Sequence, residues 1–430
     1  MYEYLPIELE EAIISHLSNS KPDLQNCSLV CKSWLPSTRA LLFHSLSETG
    51  KPSSGTAGPF LSAVYAIQKA SHLKHLPQRL KVDCAHILEY TRLVFNTVHL
   101  GNMTHLWLCR ADFSRFDLNI SLTLSLLSSL RGLAIDRTVF LNACQLLHFL
   151  SSPCFRNLRF LSLTDVSYLQ RPEPGNMRSA IEKAEGTMDY WKSTTVSSPT
   201  SMPPSRIELE ELEIGLIPEH NVFHLLYHPD SSFDWKRLKR IKFYRVWDNT
   251  LIQGFLNGPL PVLKSIAFDR SDMMYHFTSS GPFTGVLENP SVVTNLTEIS
   301  MNIISFAHDP LEFGMDFFGL SWVTEHFSDQ APQIDVHIHL PTDLGFVSSS
   351  DRNTKQTKAS VDMILGLTLL PSIRSVHLVV PLSAGSSMQD RKSVKDICED
   401  WFAPSTRTRI RVEYREVPAG DEREPFTADL

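Results

Sequence analysis

A short frame, apolar-x-x-apolar-x-apolar, returns along this chain at near-regular spacing, and no other feature restricts the fold as strongly. It stands at Met103-Leu106-Leu108, Leu130-Leu133-Ile135, Leu158-Leu161-Leu163, Leu209-Leu212-Ile214, Leu238-Ile241-Phe243, Leu263-Ile266-Phe268, Leu296-Ile299-Met301 and Ile373-Val376-Leu378. The steps from Met103 to Leu296 are 27, 28, 51, 29, 25 and 33 residues. A period of roughly 25–30 residues marks one supersecondary unit repeated in series, each copy burying its apolar face against its neighbours.

Helical segments fall between the frames: Asn142 to Leu150, Glu219 to Tyr227, Thr250 to Leu256, Ser321 to Phe327, Ser360 to Leu370 and Ser393 to Phe402, with Phe60 to His75 ahead of them. Strand and helix in alternation predict an α/β fold of parallel strands backed by helices. The pattern resembles leucine-rich repeats, and the resemblance implies an irregular solenoid. The family frame continues to an Asn or Cys three residues after its third apolar position. Here Thr138, Val166, Val246, Ser271 and Ile304 hold that place, so irregular curvature and extended strands such as Leu238 to Trp247 are expected.

With the frame residues turned inward, strand alternation turns the residues between them outward. That face comprises His105, Trp107, Phe160, Glu211, Glu213, Arg240, Lys242, Tyr244, Asp269, Glu298, His337 and His339. Aromatic, basic and acidic groups alternate on it, which suits protein recognition through aromatic and Arg anchors better than phosphate tracking. Trp107, Phe160, Arg240, Lys242, Tyr244 and Asp269 are the expected contacts to a protein substrate.

Ahead of the repeats, Leu5 to Leu46 predicts three short helices closed by Trp34, Leu41, Leu42 and Phe43. Leu9, Ile13 and Leu17 recur every four residues after Pro6, a residue tolerated in a first helical turn, and Glu8, Glu10 and Glu11 suit that end. Asp23 stands as the N-cap of a second helix carrying Leu24, Cys27 and Cys31, and Pro36 opposes its continuation. Leu5-Pro6, then Leu29-Val30-Cys31-Lys32-Ser33-Trp34, then Leu42-Phe43 resembles an F-box of the kind found in large fungal families, over about a tenth of the chain. The resemblance implies a Skp-type adaptor as partner and, through it, a cullin ubiquitin ligase. It assigns the adaptor contacts to Leu5, Pro6, Leu9, Ile13, Leu24, Leu29, Val30 and Trp34, some of which also pack the helices' own core.

The expected organisation is a helical module over 1–49, a Gly/Ser/Pro-rich linker over 50–59 and the repeat domain over 60–417, with a flexible tail over 418–430. Ser/Thr/Pro-rich and polar stretches make 170–206 and 343–358 surface insertions. The formal net charge of −7, from 40 basic and 47 acidic residues, gives no electrostatic reason for nucleic-acid or membrane binding. Seven scattered cysteines, an odd number without zinc-like pairing, oppose a disulfide framework. A basic, apolar leader is missing from the first residues and no apolar run spans a bilayer, which predicts a cytoplasmic or nuclear protein. The Asn-x-Thr/Ser sequons at Asn102, Asn119 and Asn295 are then coincidental.

Asp335-x-His337-x-His339 is similar to the motif that opens metal-dependent amidohydrolases, but only 91 residues follow His339, too few for the barrel that supplies the remaining ligands. Phosphate loops and a nucleophile elbow are missing too. The expectation is a non-enzymatic substrate receptor without cofactor or metal. The alternative is a non-ligase repeat scaffold whose N-terminal helices cap the repeats.

Overall fold

The computed structural model describes residues 6–18, 20–47, 59–83, 98, 100–115, 127–169, 206–215, 226, 233–244, 255–269, 292, 295–302, 334–339, 365–366, 368–369, 371–383 and 409–417. Leu5, most of the linker, nearly all of both insertions, the tail and most of the helices expected beyond residue 215 lie outside these residues. The protein is α/β and built on a large parallel sheet. It divides into two compact units, Met1–Leu161 with Asp165–Ile207, and Ser162–Thr164 with Glu208–Leu430.

The first unit opens with helices α1 (Ile7–His16), α2 (Lys21–Val30) and α3 (Leu35–His44). The N-cap of α2 is Ser20 rather than the expected Asp23. Ser20 Oγ donates to the Asp23 carboxylate at 2.5 Å, so the acid sits in the first turn, where the helix dipole favours it. Pro36 does not close α2, which ends at Val30; it occupies the first turn of α3, where a missing N–H costs nothing. Ile14, Leu24 and Thr38 are the fully buried side chains of the three helices. Thr38 Oγ1 donates to the Trp34 carbonyl at 2.8 Å, which removes the penalty of burying its hydroxyl.

From α3 the chain passes without a break into strand β1 (Ser45–Ser47), which pairs in parallel with β2 (Arg79–Asp83) in the register Ser45 to Arg79. Helix α4 (Pro59–Lys69) lies between them in sequence and ends six residues short of the expected His75, where a 3-10 turn over Ser71–Leu73 takes over. Strands β3 (His105–Cys109), β4 (Gly132–Asp136) and β6 (Phe160–Thr164) follow. The registers stack Leu46, Leu80, Leu106 and Leu133 in one row and Val82, Leu108 and Ile135 in a second, all buried.

Each of these later strands is followed at once by a non-glycine residue in the left-handed region: Arg110 at φ 53°, Arg137 at 49° and Asp165 at 51°. All three stand two residues past the third apolar position of a frame, so the chain turns the same corner each time. The buried residue after each corner is Ala111, Thr138 or Val166. In place of an Asn or Cys ladder, short strands β5 (Val139–Phe140) and β7 (Ser167–Tyr168) pair in parallel, and Val139 N–H donates to the Ala111 carbonyl at 2.9 Å.

Helix α5 (Ala143–Leu150) falls within the expected Asn142 to Leu150. Asn142 Oδ1 caps it by accepting the Gln145 N–H at 3.0 Å, and Gln145 Oε1 accepts the Leu141 N–H at 2.6 Å. Beneath it, Phe113 stacks on Phe140 with centroids 4.7 Å apart, and Phe149 packs against Phe113, Phe140 and Phe155.

In the second unit, β9 (Glu211–Gly215), β11 (Arg240–Tyr244), β12 (Ser265–Asp269), β13 (Glu298–Asn302), β14 (Ile334–His339), β15 (Ile373–Ser383) and β16 (Ile410–Val417) are neighbours in chain order, all parallel. The two-residue strands β8 (Ile207–Glu208) and β10 (Phe233–Asp234) lie outside that run. Leu212, Ile241, Ile266, Ile299, Val336, Val376 and Ile410 form a continuous buried row across it. Trp235, Phe255, Phe243 and Phe268 extend that core, with Phe243 stacked on Phe268 at 5.8 Å. Among the described residues no helix is long and apolar enough to cross a membrane.

Candidate functional site

Two surfaces carry side chains that the fold does not consume. The first is on the N-terminal helices. Ile14 points into the core, whereas Leu9 and Ile13 are exposed and Leu17 is half-buried. Ile7, Leu29 and Val30 are exposed as well, the last two at 85% and 68%. Of the expected adaptor contacts, Pro6, Leu9, Ile13, Leu29 and Val30 are exposed, Trp34 is half-buried, and Leu24 is fully buried and serves the helices' own packing. Isolated apolar residues on a surface are ordinary, and these five are large apolar side chains that the packing of α1 and α2 leaves exposed.

The second surface is the side of the sheet opposite the buried rows. In the first unit it is closed. Trp107 and Phe160, expected as outward anchors, are only 5% and 8% exposed, and His105 and Cys109 are buried beside them. Lys81 covers the Trp107 ring with its ammonium 3.6 Å from the centroid, a cation–π contact that the register makes possible by placing the two residues opposite each other. Burial pushes the Cys109 thiol up and out of its reactive range.

In the second unit the same side is polar and open. Lys242 and Tyr244 are half-buried and Arg240 is exposed. Asp269 ends β12 opposite Tyr244. Glu213 is buried but satisfied: Ser162 Oγ donates to it at 3.2 Å and Lys242 Nζ lies at 3.4 Å. Arg240 pairs with Glu211, and Lys239 with Glu210 at 2.6 Å. Each cation comes from the strand after its acid, which is the cross-strand pairing that supports a parallel ladder.

The Asp-x-His-x-His residues lie on β14 and face this side together, as strand alternation requires. Their partners are protein groups. Asp335 accepts a two-pronged contact from Arg374 and a hydrogen bond from Ser375 Oγ at 2.5 Å. His339 Nε2 meets Ser300 Oγ at 3.1 Å. The His337 ring stacks on His377 at 4.5 Å, with 15° between the planes, and Ser375 Oγ lies 2.8 Å from His377 Nε2. Burial and then the neighbouring His337 and Arg411 hold the His377 imidazole below its usual pKa. Among the described residues no three His, Cys, Asp or Glu side chains gather as a metal-binding group.

His377 and Arg411, the residues that complete this row, were not foreseen from the sequence. Val376, which precedes His377, is a frame position, and counting one residue on would have placed the imidazole on the open side. Compared with known proteins, the chain matches no family model, no curated protein and no solved structure.

Proposed function

We propose that this chain is a substrate-recognition subunit of a Skp/cullin/F-box-type ubiquitin ligase, with a leucine-rich-repeat-like solenoid as its receptor part. The observation that carries the adaptor half is the exposure of five apolar side chains, Ile7, Leu9, Ile13, Leu29 and Val30, on helices whose own core is made by other residues. Helical modules with such faces bind by laying them against a complementary apolar partner. The Leu-Pro, Leu-Val-Cys-Lys-x-Trp and Leu-Phe order supports the Skp-type adaptor as that partner. The recurring left-handed corners at Arg110, Arg137 and Asp165, with parallel strands in chain order, support the repeat reading.

The deciding experiment is capture of a purified Skp-type adaptor by the full chain and by Leu29→Asp with Val30→Asp. Both positions are exposed, so the variant keeps its melting temperature and loses the adaptor. An intact chain that captures no adaptor, or a variant that still does, sinks the reading.

One observation favours the scaffold alternative, in which the helices cap the sheet: α3 runs directly into β1, and β1 pairs with β2. On that reading the full chain and the variant melt alike and neither captures the adaptor.

A further inference from the structure

We propose that the row Ser300, His337, His377 and Arg411 receives an acidic peptide segment of the captured protein, one carrying several Asp or Glu side chains; this rests on the receptor reading above. The registers place the four residues side by side on β13, β14, β15 and β16. Strands lie about 4.8 Å apart, so the row is roughly 14 Å long and five extended residues cross it.

Charge complementarity selects the occupant. Of the acids on this side of the sheet, Asp335 is engaged by Arg374 and Ser375, Glu211 by Arg240, and Glu213, which lies on β9 where the same register line continues past Ser300, by Lys242. Among the four residues of the row itself there is no acid. Arg411 is exposed and has no ion-pair partner among the described residues, and beside it stand two stacked imidazoles. Glu298, which pairs in register with Asp335, and Glu413, two residues past Arg411, flank the row without entering it. A basic segment would meet the guanidinium with like charge, and an apolar one would strip it of water without replacing the lost hydrogen bonds. A carboxylate instead makes charge-assisted bonds to Arg411 and to an imidazolium.

Protons then link to binding. His377 faces His337, Arg411, Arg374 and Glu413, and in the free protein its neutral form is favoured. A bound carboxylate favours the charged form, so binding takes up a proton and strengthens as pH falls.

The test uses the full chain and a fluorescein-labelled peptide of about ten residues alternating Glu and Gly, with a Lys/Gly peptide as control, read by fluorescence anisotropy at about pH 7.5 and about pH 6. The Glu peptide binds and the Lys peptide does not, and affinity rises several-fold at the lower pH. Arg411→Glu weakens binding about ten-fold or more, Arg411→Lys retains most of it, and His377→Gln removes the pH effect. Lys236→Glu, at an exposed position away from the row, changes nothing. Melting temperatures of all variants check folding. A Glu peptide that fails to bind, or binds Arg411→Glu as tightly as the parent, overturns the proposal, as does equal binding of the Lys peptide. Adaptor capture is measured on the same preparations. Peptide binding without adaptor capture leaves the acidic-segment site standing while the ligase reading falls, and the reverse pattern does the opposite.

Discussion

Asn295 Nδ2 donates to the Pro261 carbonyl at 2.7 Å across 34 residues of chain, and two residues on, Thr297 Oγ1 donates to the Lys264 carbonyl at 3.2 Å. The first unit repeats the arrangement with Asn102 on His75 and Thr104 on Gln78, both at 3.1 Å. Donors two residues apart reach acceptors three residues apart in both places. Two of the Asn-x-Thr/Ser triplets that look like glycosylation sequons are therefore ties between one strand's approach and the strand before it. Asn157 Nδ2 on the Ser128 carbonyl at 2.9 Å is a third tie of the same kind, without the Thr.

Asn295→Ala with Thr297→Ala removes both ties at one strand. Each exposed hydrogen bond contributes on the order of 1 kcal/mol, so the double variant loses about 2 kcal/mol or somewhat less in urea unfolding. Thr297→Ser, which keeps the hydroxyl, retains most of the stability. A double variant as stable as the parent would show that the ties are incidental.

Gly215 is fixed by a different constraint. A Cβ built on it would lie 2.5 Å from the Tyr244 carbonyl oxygen and 2.6 Å from the Tyr244 Cβ on the paired strand. Gly215→Ala therefore forces β9 and β11 apart and costs about 1–3 kcal/mol. Because backbone is one of the obstacles, adding Tyr244→Ala does not restore stability. A full rescue by that second change, seen in thermal melts, would put the crowding in the ring alone.

Arg137 bears the cost of a left-handed backbone on a side chain with a Cβ, roughly 1–2 kcal/mol for a non-glycine residue. Its contact to Asp136, Nε to Oδ2 at 2.9 Å, is largely exposed and adds little. Arg137→Gly should raise the melting temperature by a few degrees, and Arg137→Val should lower it, since a β-branched residue suits that backbone least. Equal melting temperatures for the two would show that the corner relaxes to another conformation.

Frame positions were legible because a strand with one buried face must show its Leu and Ile with period 2, and every described frame side chain is buried. Helix α5 was legible because Asn142 caps an apolar run. What escaped depended on distant neighbours or on unusual residues. Whether Trp107 and Phe160 meet water is decided by what lies over the strand, not by alternation along it. The corners were hidden because Arg and Asp, rather than Gly, take the left-handed conformation there. Ser20 was missed as the N-cap because Asp23 is an equally good capping residue, and only the start of the hydrogen-bonded turn separates them. Spacing alone does not say which residues of α1 serve the helices' own packing and which face water, because a helix shows the same spacing of apolar residues toward its own core and toward a partner.

His105 makes the first unit acid-sensitive in a defined window. It is buried on β3, its Nδ1 lies 2.9 Å from Thr104 Oγ1, and its pKa is lowered to about 4, chiefly by burial and then by Arg79, His44 and Arg131. An unfolded histidine titrates near pH 6.5, so the fold favours the neutral ring. Its contribution is fully present above about pH 6.5 and is lost as pH falls toward 4, with a slope of at most about 1.4 kcal/mol per pH unit. His44, lowered by burial and then by Arg79, acts in the same direction from α3. Urea unfolding at about pH 7, 6 and 5 should therefore show falling stability in the parent, a shallower fall in His105→Gln and a further reduction when His44→Gln is added. If the double variant keeps the parent's slope, the acid sensitivity belongs to other groups and this assignment is wrong.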